Sequence, residues 1–83
     1  EGKVQEKTRF DLVLFDSPHH AISFEQKAKA MNLGGRLIPV PRILSLSCGM
    51  CYRSHIKDRG LLKSFINNED VKFQKIVEDF EMM

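Results

Sequence analysis

The sequence predicts an α+β domain in which two helices cover one face of a four-stranded antiparallel sheet. Short runs rich in Val, Leu, Ile and Phe alternate with two segments of helical periodicity, in the order β-α-β-β-α-β. A chain of 83 residues has room for one domain, and its 42% hydrophobic and 29% charged residues are ordinary for a globular protein. The first nine residues are almost entirely polar. We therefore expect a flexible tail over residues 1–9 and a single domain over residues 10–83.

The first strand and the first helix follow one another directly. The run FDLVLFD, residues 10–16, is apolar between aspartates and predicts a central buried strand. Ser17 is then a good helix N-cap, and Pro18 falls at the first helical position, where its missing N–H costs nothing. Gly34 and Gly35 are expected to end the helix. Its predicted apolar face consists of Ala21, Phe24, Ala28 and Met31.

The second and third strands surround a loop. RLIPV, residues 36–40, reads as a strand, and Pro39 confines it to an edge of the sheet because proline cannot donate to a ladder. Pro41 opens a loop that reaches about Cys48, and MCYRSHI, residues 50–56, is the predicted third strand.

The C-terminal part is predicted to be a helix followed by a strand. Residues 58–68 suit a second helix with Asp58 as N-cap. The predicted inner face of this helix consists of Leu61, Leu62, Phe65 and Ile66. The apolar residues of segment 73–80 fit a helical template, but a strand there completes the split-βαβ, ferredoxin-like pattern, so we predict a strand.

Composition argues against several classes of function. The net charge of +2 is spread along the chain without a Lys/Arg block, and no array of aromatic residues accompanies it, so we predict no nucleic-acid partner. The longest apolar run is LVLF, far below the ~20 residues that span a bilayer, and no signal-peptide pattern is visible. Two cysteines without a secretion signal predict a reducing compartment, and we expect a cytoplasmic protein.

The predicted topology brings two connections to one end of the sheet. If the first and second strands are parallel with the third between them, the loop after the first strand and the loop after the second emerge together. His19 and His20, in the first turn of the first helix, would then face the loop that carries Arg42 and Cys48. The junction near residues 67–70 should lie at the same end.

This arrangement gives Cys48 a possible chemistry. The thiolate is the nucleophilic form of cysteine, and a free thiol has a pKa near ~8.5. The unpaired N–H groups of a helix N-terminus and a nearby cation, Arg42 or His19, would stabilise the thiolate. Gly49 allows a close approach of the backbone, and Ser47 supplies hydrogen-bond donors. Together these residues would suit a small anion such as a persulfide.

Other interpretations of the Cys-Gly-Met-Cys motif remain open at this point. Cys51 lies on a predicted strand and is more simply a core residue, although it could be a second thiol. A dithiol redox site is weaker, because such a motif usually opens a helix. Zinc would need two further ligands, and the three histidines lack ligand-like spacing, so we predict no metal and no cofactor.

Two segments resemble a known bacterial family. FDSPHHAISFE followed by RLIPVPRILSLSCGMC resembles the Putative Se/S carrier protein-like family, over roughly residues 10–56. The matching positions are Ser17, His19, Ala21, Glu25, Pro39, Pro41, Arg42, Ser45, Ser47, Cys48 and Gly49. The chain departs from the family pattern at Ile43, where an acidic residue is usual, and this weakens an Arg42–carboxylate pair.

The resemblance implies a carrier or transfer partner rather than a stand-alone enzyme. Cys48 would hold a persulfide or perselenide, accept it from a cysteine-desulfurase-type donor and relay it to an acceptor enzyme. Arg42 and His19 would stabilise the anion. The alternative from a different class is a non-enzymatic interaction module, in which the Pro-x-Pro-Arg loop and Cys48 dock a partner or a metal.

Overall fold

The structure, a computed structural model, describes residues 8–44 and 49–82. Within these ranges the chain forms four strands, two α-helices and two short 3₁₀ turns. The strands are β1 (Thr8–Leu14), β2 (Arg36–Pro39), β3 (Met50–His55) and β4 (Lys75–Met82). The helices are α1 (Pro18–Ala30) and α2 (Arg59–Asn68), and the 3₁₀ turns are Arg42–Leu44 and Ile56–Asp58.

The strands form one sheet in the order β2-β3-β1-β4, and every neighbouring pair is antiparallel. With α1 between β1 and β2, and α2 between β3 and β4, this is the ferredoxin-like arrangement that the sequence predicts. The Pro39-containing strand β2 lies at an edge, as expected. The strand at the C-terminal end is also confirmed, since β4 pairs with β1 along its length.

Both helices pack on one face of the sheet. Val13 of β1 and Tyr52 of β3 contact buried residues of α1 and α2 in a single apolar cluster. Phe24 lies at its centre, with ring centroids 5.3 Å from Phe15, 5.0 Å from Tyr52 and 5.1 Å from Phe65. Such edge-to-face aromatic contacts add stabilisation beyond the burial of their area.

Helix α1 begins as predicted and ends differently. Ser17 is the N-cap, Pro18 is the first helical residue, and the predicted face is buried except at Met31. Met31 is 54% exposed and is the C-cap residue, one position beyond the last helical residue. The left-handed residue that ends the helix is Asn32, with a φ of 62°, rather than Gly34 or Gly35. The N–H of Leu33 donates to the carbonyl of Ala28 at 2.9 Å, which completes the capping motif.

Helix α2 also differs from its predicted inner face. Leu62 and Phe65 are buried and Ile66 is half-buried, but Leu61 is 61% exposed. The helix therefore presents a narrower apolar stripe to the sheet than the sequence suggests. Asp58 occupies the N-cap position without a side-chain capping hydrogen bond.

Strand β1 begins earlier than the sequence analysis places it. Thr8 and Arg9, assigned there to the tail, pair with β4. Arg9 forms ion pairs with Asp79 at 3.0 Å and with Glu81 at 2.9 Å, which explains how a polar pair of residues joins the strand. The remaining residues of the predicted tail, 1–7, lie outside the described residues.

Candidate functional site

The end of the sheet at which β1 finishes, which we call the loop end, collects several connections. Leu14, the last residue of β1, pairs with Cys51, and Pro39, the last residue of β2, pairs with Met50. The N–H of Val40 donates to the carbonyl of Gly49 at 3.0 Å. The start of α1 and the residues flanking the β2–β3 loop therefore emerge on the same side of the sheet, as the topology predicts.

The junction between α2 and β4 reaches the same end. The N–H of Gln74 donates to the carbonyl of Leu14 at 2.6 Å, and the Gln74 amide donates to Asp16 at 3.1 Å. Lys27 of α1 donates to the carbonyl of Asp70 at 2.8 Å. These hydrogen bonds fix the connection to both β1 and α1, so the predicted meeting of three connections is confirmed.

The first turn of α1 supplies hydrogen-bond donors at this end. The side chain of Ser17 accepts from the N–H of His20 at 3.4 Å, a long capping bond. His19 is exposed and His20 is half-buried. The Nδ1 atom of His20 is buried and has no hydrogen-bond partner among the described residues.

The loop between β2 and β3 is described on both sides of residues 45–48. Arg42 and Ile43 lie in the first 3₁₀ turn, and both are exposed to solvent. Ile43 is 80% exposed. Gly49 is exposed and adopts a φ of +79°, a left-handed conformation that suits glycine. Ser47 and Cys48, the two predicted site residues between them, lie outside the described residues.

Cys51 is a buried thiol in the sheet. It lies on β3 with 0% of its surface exposed, and it packs with Leu12 and Leu14 on the face of the sheet opposite the helices. Strand alternation explains this, because Tyr52 beside it points into the helix-covered cluster. The expectation that Cys51 is a core residue is confirmed.

The structure contains a buried ion pair that the sequence did not predict. Asp11 is 1% exposed, and its two oxygens accept from Arg59 Nε and Nη2, both at 2.8 Å. It also accepts from the N–H of Asp79 at 3.0 Å. These bonds, with the Arg59 hydrogen bonds first, hold the pKa of Asp11 below its ordinary value against the opposing effect of burial.

A signal for this ion pair was present in the sequence. Asp11 interrupts an apolar run that predicts a buried strand, and a buried carboxylate needs a partner. Which cation would supply it could not be read from the chain, because Arg59 is distant in sequence. The pair joins β1 to the start of α2, toward the end of the sheet opposite the loop end.

The comparison with protein families agrees with this fold and these motifs. Residues 11–78 match the family described as Putative Se/S carrier protein-like. The match covers well over half of the chain, so the protein belongs to this family. No curated protein and no solved structure matches the chain.

The described residues contain neither a membrane-spanning helix nor a cluster of metal-binding side chains. Among the described residues, no helix is long and apolar enough to cross a membrane. In residues 8–44 and 49–82, no group of three or more His, Cys, Asp or Glu side chains is placed to hold a metal ion.

Proposed function

We propose that the protein carries sulfur or selenium on Cys48 as a persulfide or perselenide. The observation that carries this proposal is the family match over residues 11–78, which includes the Ser-Cys-Gly segment. The loop end adds physical support, because the start of α1 and Gly49 share one side of the sheet. Unpaired N–H groups at a helix start stabilise an anion nearby.

Loading would be an exchange between sulfur atoms that needs no outside oxidant. The Cys48 thiolate would attack the outer sulfur of a persulfide on a cysteine-desulfurase-type donor. A new S–S bond forms at Cys48, the S–S bond of the donor breaks, and the donor cysteine leaves as a thiolate. Release to an acceptor enzyme repeats the exchange in the other direction. The same steps apply when selenium replaces the outer sulfur.

The surrounding residues would hold the charge and leave the sulfur accessible. Arg42 is exposed within a few residues of Cys48 along the chain, and His19 is exposed at the start of α1. The charge of Arg42 and hydrogen bonds from the His19 imidazole would favour the thiolate and the persulfide anion over their protonated forms. We therefore expect the pKa of Cys48 to lie below the ~8.5 of a free thiol.

The buried position of Cys51 disfavours the dithiol alternative. A reversible disulfide with Cys48 requires both sulfurs to come within bonding distance, and Cys51 is 0% exposed on β3. A carrier that uses one thiol does not need Cys51 to move. On this proposal Cys51 contributes packing, and its replacement by serine should leave loading intact.

Intact mass tests the proposal directly. The protein is incubated with a cysteine desulfurase and cysteine, beside Cys48→Ser and Cys51→Ser variants. We expect one added sulfur that thiol reductants remove, present in the wild type and in Cys51→Ser, and absent in Cys48→Ser. No added sulfur, together with a thiol that titrates like free cysteine, would overturn the carrier and favour the interaction module.

A further inference from the structure

The face of the sheet opposite the helices, which we call the open face, carries its own apolar cluster. Side chains alternate along a strand, so every second residue of each strand points to the face opposite the helices, and the apolar residues among these belong to this cluster. Leu12, Leu14 and Cys51 are fully buried beneath its centre, so a partner would touch only the half-buried side chains around them. The half-buried side chains packed around them are Phe10, Ile38, Val40, Leu44, Val77 and Phe80.

Two arginines and a histidine flank this cluster where β1 begins. The guanidinium group of Arg53 lies over the Phe10 ring, 4.6 Å from its centroid. His55 meets the same ring edge-on, with centroids 5.5 Å apart. Arg36 pairs with Arg53 across β2 and β3, and it shares the alternation of Ile38, which places it on the open face. Arg36 is exposed.

A further cation lies at the opposite end of the open face. Lys75, the first residue of β4, is exposed and shares the alternation of Val77, which belongs to the open-face cluster. The half-buried apolar side chains of the open face are therefore bordered by positive charge at both ends of the strands.

The carboxylates are segregated from this face. In residues 8–44 and 49–82, the acidic side chains lie on the helix side or in the connections between elements. Those of the sheet are held on the helix side by ion pairs: Asp11–Arg59, Glu78–Lys63, Asp79–Arg9 and Glu81–Arg9. A chain with a net charge of only +2 thus presents one surface whose described charged groups are all basic.

We propose that the open face binds a protein partner whose contact surface has an apolar centre and a rim of carboxylates. Protein interfaces combine an apolar centre with a polar rim, and they are enriched in arginine. Complementary charges at the rim speed the encounter and select the partner. The open face offers the cationic half of such an interface.

Two other occupants fit less well. A second copy of the chain would bring Arg36 and Lys75 against the same cations, and like charges oppose that contact. A single-stranded nucleic acid needs aromatic faces for its bases. The Phe10 ring already has Arg53 over one side and His55 at its edge, and the centre of the face is mainly aliphatic.

The open face continues into the loop end. Leu44, in the first 3₁₀ turn, packs on the open-face cluster, and Ile43 beside it is exposed. A partner on this face would therefore meet the segment that leads to Cys48. Identifying the partner as the sulfur donor or acceptor rests on the proposed function, whereas binding at the open face does not.

Titration of the isotopically labelled protein by NMR tests the surface without any thiol chemistry. The probe is a peptide of four apolar residues flanked on each side by two glutamates, long enough when extended to cross the open face. The control peptide replaces the glutamates with lysines, and an oligouridylate tests nucleic acid. The Cys48→Ser variant is measured in parallel, so failure of the carrier and failure of the surface are distinguishable.

We expect saturable shifts of β1 and β3 amides with the acidic peptide in both the wild type and Cys48→Ser. The exposed pair Arg36→Glu and Lys75→Glu should weaken binding by about fivefold. The pair Lys29→Glu and Lys63→Glu changes the net charge equally on the helix side and should leave binding unchanged. Absence of saturation, shifts confined to the helices, equal effects of the two variant pairs, or tighter binding of the oligouridylate would each overturn the proposal.

Discussion

At the end of the sheet where α2 begins, which we call the ion-pair end, a buried carboxylate and close backbone contacts join several elements. Asp11 links β1 to Arg59 of α2 and to the backbone of β4 at Asp79. At the loop end, the described residues include exposed side chains, a left-handed glycine and a long capping bond. One end therefore fixes how the elements pack, and the other presents groups to solvent.

On the proposed function, the two ends separate stability from sulfur loading. Residues 78 and 79 of β4 oppose the single residue Asp11 of β1, and Asp79 has a φ of 63°. This β-bulge turns the N–H of Asp79 toward the Asp11 carboxylate. We expect changes at the ion-pair end to lower stability without altering sulfur loading, and changes at the loop end to affect loading more than their smaller effect on stability explains.

The largest effect on stability is expected from Asp11→Ala. The substitution leaves Arg59 without its bidentate partner and the N–H of Asp79 without an acceptor, so we expect a loss of about 3 kcal/mol in the free energy of unfolding. Urea unfolding measures it. Sulfur loading, measured below the unfolding transition, should stay at the wild-type level. A loss below about 1 kcal/mol would contradict the importance of this pair.

A somewhat smaller effect is expected from Gly35→Ala at the same end. A Cβ there would lie 2.6 Å from the Tyr52 ring and would collide with the carbonyl oxygen of Arg53. The N–H of Gly35 also donates to the Tyr52 hydroxyl at 3.1 Å, so the close approach cannot relax freely. Overpacking of this kind costs about 2 kcal/mol. Gly34→Ala is the matched control, since its nearest atom would be 3.9 Å away, and equal losses in both variants would refute this explanation.

The Asp11 pair should also make stability depend on acid. Its pKa is lower in the folded state than in the unfolded chain, because of the Arg59 hydrogen bonds, the Asp79 N–H and the nearby positive charge of Lys63. The stabilisation is then complete above the unfolded pKa of ~3.9 and is lost as the pH falls through the folded pKa.

Thermal unfolding between neutral pH and about pH 2 measures this dependence. We expect the Asp11→Asn variant to lose less stability than the wild type over the acidic part of the range, because it has no carboxylate to protonate. Parallel profiles for the two proteins would contradict the assignment of this titration to Asp11.

The smallest effect on stability is expected at the loop end, from Gly49→Ala. The added Cβ would meet no atom within 4 Å, so the cost comes from the φ of +79° alone and should be about 1 kcal/mol. If Gly49 orients the neighbouring Cys48, the rate of sulfur loading should fall more than this loss of stability explains. Unchanged loading would show that the backbone at Gly49 does not govern the thiol.

Local signals in the sequence were sufficient for most of the fold. Ser17, Pro18 and the spacing of Ala21, Phe24 and Ala28 predicted α1, because capping and helical periodicity depend on near neighbours. Pro39 predicted an edge strand, since a missing N–H excludes a central position. The strand at the C-terminal end required the whole sheet, because the periodicity of residues 73–80 alone favoured a helix.

Details that depend on contacts between distant residues were predicted less well. Leu61 and Met31 fit the helical pattern but are exposed, because each helix buries a narrower stripe than its apolar residues would allow. Asn32, not Gly34 or Gly35, adopts the left-handed conformation that ends α1, and the N–H of Leu33 then donates to the carbonyl of Ala28. The predicted roles of Ser47 and Cys48 stay predictions, because these residues lie outside the described ranges.

By itself the sequence determined the order of the elements, the edge position of β2 and the family motif around Cys48, because each is written in neighbouring residues. Only the tertiary structure decided that Asp11 pairs with Arg59 and that basic residues gather on the open face. Both depend on which strands become neighbours and on which side of the sheet each residue points. Strand neighbours and side-chain directions are fixed only when distant segments pair in the sheet, so no short segment of the chain predicts them.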